Sequence, residues 1–190
     1  MTNTPSRTEK LEEYKLIREE INKEWDYISA SRSILFATTA AVLAFAFSQS
    51  NPIVFLIPYV VIIPLSAIEK DHLTGIIRKG AYLLVFCEPY IDIEWERRLF
   101  QEDMADASAN KIKKPVVSHF MLLTLCCLVL SVLYLDFSDL KEKSLWVDAG
   151  LIAVFTVLTV VIVLRNRVDY LEEKIVQKER WEEVKKKKSK

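Results

Sequence analysis

Glycine is scarce, with three in 190 residues. Loops that cradle phosphates need several glycines at close spacing, so nucleotide sites of the P-loop or dinucleotide kind are excluded. Histidine and cysteine number two and three, and none stands at the spacing of a zinc or haem site. No nucleophile motif is present either. The chain is therefore read as non-enzymatic, with no catalytic residue, no metal and no cofactor predicted. The absence that says most is of charge. Although 27% of the residues are Asp, Glu, Lys or Arg, none occurs from Ser33 to Ile68, from Pro115 to Leu135 or from Ala149 to Leu164. A soluble core interleaves charge with apolar residues at helical spacing; here the two are separated into blocks.

The first block is 36 residues long, which as one helix would reach about 54 Å against a hydrocarbon core of about 30 Å. It is read as two spans with a turn at Gln49-Ser-Asn-Pro52, because Asn-Pro disfavours helix and opens turns. Pro58 and Pro64 are expected to kink the second span. The other blocks supply one span each, Ser118 to Leu135 and Leu145 to Leu164, the last anchored by Trp146. The predicted fold is an all-α membrane protein with four transmembrane helices in two hairpins and amphipathic cytosolic helical extensions. Its divisions are 1–32, an amphipathic N-terminal helix; 33–68, the first hairpin; 69–117, a cytosolic helical hairpin and loop; 118–164, the second hairpin; and 165–190, a helix with a basic tail.

Residues 1–32, 69–114 and 165–190 hold 24 of the 26 Lys and Arg. An even number of spans puts all three on one side, which the positive-inside rule makes the cytoplasm. A bacterial inner-membrane protein with both termini cytoplasmic is predicted. No cleaved signal peptide is expected, because 32 charge-rich residues precede the first apolar run. Cys126 and Cys127 lie in an apolar block and Cys87 in a cytosolic segment, so no disulfide is predicted.

In the N-terminal segment Leu11, Tyr14, Ile17, Ile21, Trp25 and Ile28 share one helical face, with Arg32 snorkelling at the interface. Residues 80–99, GAYLLVFCEPYIDIEWERRL, pose the main question. Pro89 is expected to end one helix and start another, with Glu88 beside its positive end. Ile91, Trp95 and Leu99 then form one stripe. Alternation from Tyr90 to Glu96 also fits a strand, which is rejected for want of a pairing partner. Tyr82, Phe86, Glu88, Trp95, Glu96 and Leu99 are assigned to a cytosolic packing or partner interface. The acids Asp92, Glu94 and Glu96, two apart, would point different ways on a helix and make a poor metal site.

In the first span Ala37, Ala40, Ala41 and Ala44 share a face suited to close helix packing, within the bundle or between protomers. Polar residues in the spans are hydroxyls, among them Thr39, Ser66, Thr124, Ser131 and Thr159, so a usual transporter or selective channel is disfavoured. His72 and His119 are placed at the interface, and a shared role requires them to be adjacent. Lys185, Lys186, Lys187 and Lys188 offer contacts to anionic lipid.

The sequence Gly80-Ala-Tyr82, Val85-Phe86, Glu88 and Trp95-Glu96 resembles a pattern recurring in uncharacterised bacterial integral membrane proteins of two or four spans. In architecture the chain is similar to the SLATT-like membrane effectors of bacterial nucleotide-signalling and anti-phage systems. That resemblance implies assemblies that act on the membrane when a cytosolic sensor fires. The expected function is an oligomeric membrane effector or pore-forming component controlled through its cytosolic helices. The alternative is a constitutive scaffold that anchors a cytosolic partner without conducting. Expected partners are the lipid bilayer, further copies of the chain, and a cytosolic protein or small-molecule signal, with no specific nucleic acid.

Overall fold

The computed structural model describes residues 6–49, 51–108, 119–135, 143–165 and 170–188. Among them the chain is helical, with no strand: α1 Arg7–Gln49, α2 Tyr59–Tyr82, α3 Trp95–Ser108, α4 His119–Leu133, α5 Lys143–Arg165 and α6 Tyr170–Lys188. Two helical runs, Arg7–Gln49 and Pro52–Tyr90, are long and apolar enough to cross a membrane; His119–Leu133 and Trp146–Val161 are shorter apolar helices. Only 17% and 39% of the apolar windows of the two long runs are buried. The core helix of a soluble protein would be mostly covered.

Local chemistry explains the boundaries. Ser6 and Glu9 form a reciprocal capping box at the start of α1, Glu9 N donating to Ser6 Oγ (3.2 Å) and Ser6 N to Glu9 Oε2 (2.8 Å). After Gln49, Asn51 Oδ1 accepts from Ile53 N (2.9 Å) and opens a 3₁₀ turn, Pro52–Leu56. Pro58 is fully buried immediately ahead of α2, and Pro64 lies inside it.

The chain forms two compact units: Met1–Ile28, Asp71–Pro115 and Val168–Lys190 make the first, and Ser29–Lys70 and Val116–Arg167 the second. The first unit is built on Tyr14, Ile21, Ile28, Ile76, Leu83, Cys87 and Ile91, with Leu11, Ile17 and Leu73 packed against them. Trp25, expected on the same face, is instead 44% exposed. The second unit centres on Leu35, Leu56, Tyr59, Ile62, Phe120, Cys127 and Ile152. Within it the Tyr59 hydroxyl donates to Thr124 O (3.0 Å) and lies 2.5 Å from Thr159 Oγ1, while Ser131 Oγ donates to Pro52 O (2.6 Å). Arg32 does not snorkel freely: it forms an ion pair with Glu69 at 2.8 Å.

Candidate functional site

The stretch from Gly80 to Leu99 departs from two regular helices. Past Tyr82, Leu83–Cys87 widen into a single π turn, and Glu88–Tyr90 tighten to 3₁₀. Such π turns are uncommon and concentrate at functional sites. Pro89 therefore begins only a three-residue turn, and residues 91–94 are non-helical. The Ile91-Trp95-Leu99 stripe does not form. Ile91 is buried, whereas Trp95 and Leu99 are 53% and 36% exposed on α3. Glu88 lies beside a positive helix end, but that of α3: its carboxylate accepts from Glu96 N (2.6 Å) and Arg97 N (3.1 Å). Burial pushes the Glu88 carboxyl up, and the two backbone N–H groups oppose that rise.

Glu96 is the centre of this region. Only 4% exposed, it pairs with Arg18 of α1 (2.9 Å) and with the fully buried Lys174 of α6 (3.1 Å). Gly80 makes room for it, because a Cβ there would stand 3.0 Å from Glu96 Oε2. The Gly80, Glu88 and Glu96 of the motif are thus parts of one construction: the glycine admits a buried acid, and a second acid caps the helix carrying it. Asp92 pairs with Arg7 at 2.7 Å and Glu94 with Arg97 at 3.0 Å, so the three alternating acids share no cation and do not converge on one site. No group of three or more acids, histidines or cysteines suited to a metal occurs among the described residues.

Tyr82 and Phe86 stack at 4.9 Å, and Trp181 of α6 meets both edge-on at 5.2 and 5.9 Å. Lys185 Nζ donates to Val85 O (3.0 Å) and lies 5.9 Å from the Phe86 ring centre. Lys186 and Lys187 are exposed, and the Lys188 side chain lies outside the described residues. Beside the aromatic cluster runs an open groove of about 440 Å³, lined by Glu13, Leu16, Ile17, Glu20, Arg78, Lys79, Tyr82 and Trp181.

Most polar groups in that groove are engaged. Glu13 pairs with Lys10 at 2.6 Å and accepts from the Tyr82 hydroxyl; Lys79 bridges Glu20 (3.1 Å) and Glu24 (3.0 Å); His72 meets Glu24. Burial works against the charge on Glu24, but His72 and Lys79 outweigh it and hold the carboxyl below its usual range. Burial pushes the Cys87 thiol up to about 11, which leaves it a poor nucleophile at neutral pH. The chemistry supported here is the docking of helices by matched charge.

In the second unit the direction of the alanine face is decisive. Leu35, Thr39 and Ala46 of α1 are buried, while Ala37, Ala40, Ala41 and Ala44 are exposed. Ala30, Ser33 and Ser48 extend that exposed strip. The Ser33 and Ser48 hydroxyls donate to the backbone oxygens of Ser29 (3.0 Å) and Phe45 (2.7 Å), so the strip presents few free polar groups. Among the described residues, the buried Thr39 Oγ1 has no hydrogen-bond partner.

The pairings that sequence reasoning missed join residues far apart in the chain: Arg18 with Glu96, Arg32 with Glu69, and each histidine with a glutamate. Their only sequence signal is position, since Glu69 and His119 each adjoin an apolar run. The two histidines pair with different glutamates, in different units. The chain matches no family model, and no curated protein or solved structure is significantly similar to it.

Proposed function

We propose that the chain is an oligomeric integral protein of the bacterial inner membrane, with four membrane-crossing helices in two hairpins and both termini in the cytoplasm. The first unit is its cytosolic receiver, and the second acts on the bilayer without enzymatic chemistry. The supporting observation is the outward surface of the second unit. Phe36, Phe45, Val60, Leu122, Leu133, Trp146, Val157 and other large apolar residues there are 48–73% exposed, with few charges among them. Monomeric soluble proteins rarely leave contiguous apolar patches of more than a few hundred Å² uncovered. Lipid satisfies this surface, since in lipid every backbone group of a helix is already paired. The alanine strip lets a second copy's helix approach closely, as small residues do in membranes.

Tyr59, Leu35 and Ile62 fill the interior of the second unit to complete burial. A membrane-disrupting action of the kind attributed to the effectors that the chain resembles therefore arises between copies, not through one copy. The same filled interior favours the second reading, a scaffold that conducts nothing. Ala40→Leu separates assembly from folding, because it adds bulk to an exposed strip and leaves the core alone. In detergent or nanodiscs the wild type should run as an oligomer and the variant as a monomer with unchanged helicity. A wild-type monomer would refute the assembly reading.

A further inference from the structure

We propose that Arg32, Glu69 and His119 form a proton-operated latch that fastens α4 to the α1–α2 pair within the second unit. The Glu69 side chain is 7% exposed and stands at the boundary of an apolar block. A carboxylate so placed requires compensation. Arg32 supplies it from α1 with two hydrogen bonds, Nη2 to Oε1 at 2.8 Å and Nε to Oε2 at 3.2 Å. That bidentate pair ties α1 to α2 at any physiological pH, because arginine stays charged.

His119 brings in the third helix. Its Nε2 lies 3.2 Å from Glu69 Oε2, yet it is buried and out of alignment for a hydrogen bond. A proton on Nε2 makes the contact a hydrogen bond; protonation of both ring nitrogens makes it an ion pair, about twice as strong as a neutral bond. Phe36 and Phe120 pack against the imidazole with tilted rings, their centres 6.0 and 4.3 Å away.

Among the described residues, the charged groups joined to His119 are Glu69 of α2 and, through it, Arg32 of α1; Lys70 follows Glu69 in the sequence. The described side chains of α5 carry one charge, Asp148, eleven residues before Thr159. From His119 to Leu133, α4 holds no Asp, Glu, Lys or Arg. Among the described residues, His119 is the histidine that joins α4 to the Arg32–Glu69 pair, and histidine is the side chain suited to switching charge in mild acid. The latch operates whether or not the assembled protein conducts.

The test is the thermal stability of the full chain in detergent at pH 8 and pH 6, a window above the ordinary carboxylate range. The wild type should melt about 2–4 °C higher at pH 6, the scale of one modest interaction in a chain of this size. Because His72 also meets a carboxylate, Glu24, the rise is read in an H72Q background, where it should persist; adding H119Q should abolish it. An H72Q protein with no rise, or a doubly substituted protein that keeps it, overturns the latch. Should H119Q fail to fold, native-state hydrogen exchange of wild-type α4, corrected for intrinsic rates, decides the matter. Slower opening at pH 6 supports the latch, and equal opening refutes it.

Discussion

The three glycines provide an internal experiment on the buried acid Glu96. Glycine to alanine inside a helix ordinarily gains about 1 kcal/mol. At Gly150 a Cβ meets nothing within 4 Å, and at Gly75 it would lie 3.5 Å from Glu24 Oε1, an ordinary contact. Gly150→Ala should therefore stabilise by up to that amount, and Gly75→Ala by the same or somewhat less. At Gly80 the new methyl would stand 3.0 Å from Glu96 Oε2, which must yield by a few tenths of an ångström. That oxygen is the one bound by Lys174 at 3.1 Å, while Arg18 holds the other at 2.9 Å. Hydrogen bonds between charged groups each contribute about 1.5–3 kcal/mol, so weakening two of them outweighs the helical gain. The expected net loss for Gly80→Ala is about 1 kcal/mol, or a melting temperature lower by about 2–4 °C. Circular dichroism melts of the three variants should order them Gly150→Ala, Gly75→Ala, wild type, Gly80→Ala. Stabilisation by Gly80→Ala would show that the carboxylate is not pinned, and the reading of the motif as one construction would fall.

Two further outcomes follow from the first unit. Burial opposes the charges on Glu13 and Glu24, but their hydrogen-bond partners prevail and hold both carboxyls below the ordinary range. Their stabilisation is present above about pH 4.3 and is lost as pH falls through the lowered values. Lys79 is opposite in sign: burial lowers it, Glu24 and Glu20 raise it further, and its contribution disappears only as pH climbs above about 10.4 and through the raised value. Denaturation midpoints of wild type and Glu24→Gln across pH 3–11 check both limbs, and equal slopes at the acid end would refute the assignment. Trp95→Ala should change folding stability by no more than about 1 kcal/mol, because the ring is 53% exposed and Arg18, the cation over it, lies 5.8 Å from its centre. If the variant assembles less well while folding normally, Trp95 is a contact between copies.

The helices were legible where composition is segregated: runs without charge announce themselves, and Asn51-Pro52 marks the turn between the first two. The spacing of three and four in α1 likewise picks out Tyr14, Ile21 and Ile28, which are buried. Three features were not legible, each for a physical reason. A π turn adds one residue to the hydrogen-bond ring and leaves no side-chain signature; and because residues 91–94 are non-helical, the helix expected from Pro89 starts only at Trp95, so Ile91 shares no stripe with Trp95 and Leu99. Glu88 reaches eight residues ahead to cap α3, beyond the range of local capping rules. The outward direction of Ala37, Ala40, Ala41 and Ala44 could not be inferred, because the opposite face of α1, with Leu35, Thr39 and Leu43, is equally free of charge.

The central claim is that copies of this chain assemble through the outer face of α1 and act on the bilayer. Membrane potential tests it most directly, read with a voltage-sensitive dye in bacterial cells after induction of wild type and of Ala40→Leu at equal membrane abundance. The account predicts depolarisation by the wild type and none by the variant. An unchanged potential with assembled, membrane-inserted wild type, or equal depolarisation by the monomeric variant, would contradict it.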